Sequence, residues 1–238
     1  MTAPTTPTST PTATARMSWD GYVAGWSHSH DGYDPRHAGP LLRKWLRGAF
    51  RVGGVLARLG AQPAYAMAVA AACAVLVPVC AVRGGAWPAL AALVLLLGLA
   101  ADTVGQTLAV LLERTTRLGS FYRCLLDRAS EVCWLVALAG VGAQRTLLLA
   151  CGAMVWLHEY IRARAGAVGL RAAGSATIGD RPTRAWLTVL ALLLAAIATA
   201  QVGADLAAGV VTMVLVLWFS LAVLGLGQLL GVVRKVLT

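Results

Sequence analysis

Asp102, Arg123, Asp127 and Glu131 stand in stretches whose flanks are as apolar as lipid. Arg123, Asp127 and Glu131 are spaced i, i+4, i+8 and share one face of a helix. Asp102 lies 25 residues before Asp127. Such acids can hold divalent cations through oxygen ligands, act as a base, or pair with an arginine. An ionisable residue at membrane depth marks a functional site by default. A salt bridge between helices is the plainer alternative.

The chain that must position them has 238 residues, 58% of them hydrophobic and only 13% charged. Its mean hydropathy is +0.72. Several apolar runs reach the ~20 residues that a membrane helix needs. They do not alternate in polarity, which excludes a closed barrel. The fold class is therefore an all-α membrane protein, with six transmembrane helices near 64–82, 87–112, 120–141, 146–165, 185–203 and 206–232. With both termini placed in the cytoplasm, 18 Lys and Arg fall inside, against Arg83 and Arg145 outside. That split satisfies the positive-inside rule. Asp102 then sits in the cytoplasmic half of the second span, and Asp127 and Glu131 in the third. Those two spans are expected to pack side by side, with Asp102 and Asp127 facing one cytoplasm-open cleft and close enough to share a partner. Glu159, Arg162 and Arg164 end the fourth span on the same side.

Residues 1–18 are a Thr/Pro/Ala tail with no apolar signal-peptide core, expected to be disordered. Residues 19–60 form a juxtamembrane unit, and 61–238 the six-helix domain. "HSHDGYDPRH" at 28–37 carries three His and two Asp. Its readings are a metal site or a capped interfacial loop. From Leu41 to Leu59, Arg43, Lys44, Arg47, Arg51 and Arg58 interleave with Leu42, Trp45, Leu46, Phe50, Val55 and Leu56. This is a basic amphipathic helix suited to an anionic leaflet. Membrane lipids are thus expected partners; nucleic acid is not, because topology accounts for the charge of +10. The five cysteines form no CxxC pair and read as small buried hydrophobes.

The stretch 102–127 resembles the signature of the CDP-alcohol phosphatidyltransferases, D-x2-D-G-x2-A-R-x8-G-x3-D-x3-D. Asp102, Ala109, Gly119 and Asp127 match it. Gly105, Gln106, Val110 and Arg123 replace Asp, Gly, Arg and Asp. "HEYIRARAGAVGL" at 158–170 is similar to the family's arginine-rich end of the fourth span, and "GDRPTR" at 179–184 to its entry to the fifth. The resemblance covers about residues 40–235 and also takes in the six spans, cytoplasmic termini and surface helix.

The resemblance implies phospholipid metabolism: transfer of a phosphoalcohol group from a CDP-alcohol, usually CDP-diacylglycerol, to a hydroxyl acceptor, with release of CMP. It implies two Mg²⁺ or Mn²⁺ ions held by aspartates at positions such as Asp102 and Asp127, with Asp127 as the base. It assigns Ala109 and Gly119 to the substrate site, and Arg162, Arg164, Arg181 and Arg184 to an anionic acceptor. It implies a homodimer, or a complex with an active relative.

The departures fall on the chemistry. Two of four motif aspartates are replaced, and Arg123 puts a cation that cannot deprotonate where a ligand should stand. Arg123 is expected to pair with Asp102, Asp127 or Glu131. Three readings follow. The first is a pseudoenzyme that binds lipid or a partner subunit, with no cofactor bound. The second is an active transferase whose rebuilt site uses Asp102, Asp127 and Glu131 with one metal, or Arg123 as a phosphate clamp. The third is a transporter, in which Gly98 and Gly105 would break the second span.

Overall fold

Capping residues and prolines open most helices of this chain. A computed structural model describes residues 17–30, 34–37, 39–169 and 177–237. Ser18 accepts from the Gly21 N–H at 3.1 Å and opens α1 (Trp19–Ser29). Pro40 and Pro63 stand at the first positions of α2 (Pro40–Arg58) and α3 (Pro63–Ala81). Proline is tolerated there because the first N–H groups of a helix have no partner within it. Pro88 plays the same part in α4 (Trp87–Leu111). Thr116 caps α5 (Arg117–Gly140) by accepting from Gly119 at 3.0 Å, and the Gln144 side chain caps α6 (Arg145–Ala167). Pro182 lies in the first turn of α7 (Arg181–Gln201), and α8 (Ala204–Leu237) follows. A 3₁₀ turn covers Pro35–His37, and no strand occurs among the described residues. Residues 1–16 of the expected disordered tail, and Arg171 of the cytoplasmic charge tally, lie outside the described residues.

A helix stands at each of the six expected spans. Four of them, α3, α4, α7 and α8, are long and apolar enough to cross a membrane, which fits an integral membrane protein. α5 and α6 are long enough but more polar. α5 carries Arg117, Arg123, Asp127, Arg128 and Glu131, and α6 carries Arg145, Glu159, Arg162 and Arg164.

Two expectations need correction. The segment from Trp19 to Pro40, rich in Gly, aromatics and His, reads as an ordered loop or a short surface element, and residues 19–29 of it form not a loop but a short helix, α1. Tyr22, Val23 and Trp26 make an apolar stripe on it, buried against Leu46 of α2 and Val110 of α4. The Tyr22 hydroxyl bonds Thr107 of α4 at 3.0 Å. The expected side-by-side packing of α4 and α5 also fails: the two share no extensive contact. α3 packs on both, and so does α7. The reason lies in Gly98 and Gly105, seven residues apart on one face of α4. A Cβ at Gly98 would stand 3.0 Å from Cβ of Cys73, and one at Gly105 3.2 Å from Cβ of Ala66. Small residues let α3 and α4 approach closely, the usual device where lipid offers no hydrophobic drive between helices. The core beneath is built from Val77, Leu95, Trp134, Leu138, Leu192, Leu215 and Trp218.

α2 lies along α4 and buries Leu46, Ala49 and Gly53. Arg43, Lys44, Arg47, Arg51 and Arg58 remain exposed, as do Leu41, Val52, Val55 and Leu59. Of the cysteines, Cys80 and Cys151 are buried, but Cys124 is exposed on α5.

Candidate functional site

Two helices present the same spacing to one cavity. On α4, Asp102, Gly105, Gln106 and Ala109 follow i, i+3, i+4, i+7; on α5 and its cap, Thr116, Gly119, Ser120 and Arg123 do the same. Between them lies a cavity of about 280 Å³, also walled by the start of α3 and by Ser29 and His30 after α1. Six of the eight positions laid against the family signature line it: 102, 105, 106, 109, 119 and 123.

Asp102 and Asp127 do share a partner, and that partner is Arg181. Its Nη1 donates to Oδ2 of Asp102 at 3.0 Å, and its Nη2 lies 3.0 Å from Oδ1 of Asp127. The second contact is an ion pair without hydrogen-bond alignment. The guanidinium also stands 5.6 Å from the ring centre of Trp134. A planar fork with donors on two sides suits this bridging position. Arg181 reaches it because Asp180 and Pro182 start α7 at the rim of the same cluster. Both aspartates are buried, at 6% and 8% exposure.

The expected pairing of Arg123 is not what the structure shows. No carboxylate lies within ion-pair distance of it among the described residues, and its polar contact is Nε2 of His30 at 3.4 Å. Its Nε is buried without a partner. Glu131 instead pairs with Arg128 at 2.7 Å and with Arg184 at 2.9 Å. Arg184 and Arg128 also hold Glu159, at 2.9 and 3.3 Å. These four make a charge-balanced quartet joining α5, α6 and α7. Arg181 and Arg184 reach these acids from α7, and Arg128 reaches Glu131 from one turn before it, so the acids already have partners without Arg123.

The arginines assigned to an acceptor are largely committed as well. Arg162 holds Asp180 at 2.6 Å, Arg181 bridges the aspartates, and Arg184 is 2% exposed inside the quartet. Arg164 is exposed.

His30 was not singled out by sequence reasoning beyond its place in a His/Asp-rich segment. Its Trp26 stack, with ring centres 4.0 Å apart, turns it toward α4. The Asp102 carboxylate can only accept, so the Gln106 amide nitrogen faces it at 3.0 Å and the amide oxygen faces His30. His30 Nε2 lies 2.7 Å from that amide oxygen, and its Nδ1 lies 2.9 Å from the Trp26 carbonyl oxygen. Burial, and then the Arg123 charge, hold the His30 pKa below its ordinary 6.5. Of the rest of that segment, Asp31, Gly32 and Tyr33 lie outside the described residues, while Asp34–His37 and Asp20–Arg36 are exposed surface pairs.

The residues present do not fit the metal pair that the resemblance implies. Gly105 has no side-chain oxygen, Arg123 is cationic, and Arg181 already occupies the two remaining carboxylates. Among the described residues, no three His, Cys, Asp or Glu gather into a metal-holding group. No model of a known protein family matches the chain, and no curated protein does.

Proposed function

We propose that the chain is a membrane protein of the CDP-alcohol phosphatidyltransferase type that has lost metal-dependent transfer and acts as a lipid-binding pseudoenzyme or partner subunit. One observation carries this reading: a single arginine, Arg181, bridges Asp102 and Asp127 at 3.0 Å each, where the family resemblance calls for metal ions. Dense negative charge from a pyrophosphate needs cations that can align both attacking and leaving oxygens. A guanidinium neutralises the acids but activates no hydroxyl. It also leaves Asp127 tied to a permanent cation. The cavity lined by the signature positions supports retained ligand binding.

In this reading six helices span the membrane. α5 and α6 cross with Asp127, Glu131, Glu159 and Arg162 paired to α7 or its cap rather than left to lipid. α2 lies on the cytoplasmic leaflet, with its basic side toward headgroups and Leu41, Val52, Val55 and Leu59 toward acyl chains. Both termini are cytoplasmic. A cysteine introduced between Gln201 and Ala204 is then labelled by an impermeant reagent on intact cells; labelling only after permeabilisation overturns the orientation.

The function is tested by CMP release. The purified chain in liposomes with CDP-diacylglycerol, a hydroxyl acceptor and Mg²⁺ or Mn²⁺ should release no more CMP than its Asp127→Asn variant. Metal-dependent release that Asp127→Asn abolishes would contradict the reading and favour an active transferase with a rebuilt site.

A further inference from the structure

Arg123 is the cation that the site leaves over. Arg181 takes Asp102 and Asp127, Arg128 and Arg184 take Glu131 and Glu159, and Arg162 takes Asp180. Arg123 lines the 280 Å³ cavity with its Nε shielded from water and unbonded, and its polar neighbour among the described residues is Nε2 of His30 at 3.4 Å, which also contacts Gln106 at 2.7 Å. A half-buried cation with no counterion among the described residues favours a binding partner of opposite charge.

The rest of the wall agrees. Asp102, the acid that lines the cavity, is tied to Arg181 and Gln106. Arg114 stands at the exposed rim, bonded to Gln62. The hydroxyls of Thr115 and Ser120 and the first turn of α5 complete a wall rich in donors. A helix N-terminus adds a partial positive charge and free N–H groups on the same side. Opposite them, Pro63, Ala64 and Met67 of α3 are apolar. Polar donors on one wall and hydrocarbon on the other suit a phosphate carried on an apolar body.

We propose that this cavity binds a phosphate group on Arg123 without a metal ion, either as soluble phosphate or diphosphate or as the headgroup of an anionic lipid. The proposal rests on the reading that the site lacks its metal pair, and it gives that pseudoenzyme site its ligand chemistry.

The test uses the full chain in phosphatidylcholine nanodiscs with EDTA, titrated with inorganic pyrophosphate by calorimetry. Saturable binding is expected. Arg123→Gln should weaken it about tenfold or more, since a charge-assisted, bidentate contact is lost. Arg123→Lys should keep part of the affinity, and Arg145→Gln, at the far end of the bundle, should keep all of it. Discs doped with phosphatidic acid separate the sources. A lower apparent pyrophosphate affinity there assigns the site to a lipid headgroup, and equal affinity in both discs assigns it to soluble phosphate. No saturable binding in EDTA or in Mg²⁺, with either disc, overturns this inference alone. Equal binding by wild type and Arg123→Gln overturns it too. Binding that appears only with Mg²⁺ overturns this inference, and if the same chain releases CMP from CDP-diacylglycerol in the liposome assay the pseudoenzyme reading beneath it falls too.

Discussion

Arg181→Ala is expected to destabilise the folded chain by about 3–5 kcal/mol, the usual cost of stranding a buried charge. Asp102 and Asp127 are both buried, and among the described residues Arg181 is the cation within 4 Å of either. Without it, Asp102 keeps only the Gln106 amide at 3.0 Å, and two carboxylates face each other in a medium where like charges repel strongly. Trp134 also loses the guanidinium over its ring. Lysine cannot substitute, because a point charge does not fork between two acids. Arg181→Lys should therefore recover only part of the loss. Adding Asp102→Asn and Asp127→Asn to Arg181→Ala should recover more, because neutral amides remove the repulsion that the single change exposes. The measurement is loss of helical signal on heating in detergent for wild type, single and triple variants. A single variant that melts with wild type, or a triple variant no better than the single, would contradict the bridging role.

Much of the scaffold was readable before the structure. The apolar runs placed six helices near their observed ranges, because hydrocarbon thickness fixes how long such a run must be. The face shared by Arg123, Asp127 and Glu131 followed from helical spacing; the meeting of Asp102 with Asp127 was expected from the second and third spans packing side by side, and it comes about instead through Arg181 of α7. The partner was not readable. Arg181 sat among arginines that the positive-inside rule already explained, and nothing local marks it as the one that folds over two acids on other helices. Arg123 looked the natural partner because it is one turn from Asp127. Proximity along a helix lost to a fork reaching in from α7. His30 is 76 residues from Gln106, and no local pattern joins them. α1 was missed because its glycines hid the stripe of Tyr22, Val23 and Trp26. The polar α5 was placed correctly, yet its charges make sense only beside Arg181 and Arg184, which are far off in sequence.

The second large effect is an all-or-none difference in metal binding. Gly105 contributes no oxygen and packs too closely on Ala66 for an added side chain to fit without movement. Arg123 and Arg181 bring two fixed positive charges to a site that keeps Asp102 and Asp127. A pair of dications would have to displace Arg181 and tolerate Arg123, and neither arginine can lose its proton. Manganese is the probe of choice because its paramagnetism reports bound and free ion directly and it accepts the same oxygen ligands as Mg²⁺. The most direct test of the account is therefore a Mn²⁺ titration of the purified full-length chain in detergent, read by electron paramagnetic resonance, beside its Asp127→Asn variant. The account predicts no saturable Mn²⁺ site that distinguishes the two proteins. Two saturable Mn²⁺ ions per chain, both lost in Asp127→Asn, would contradict it.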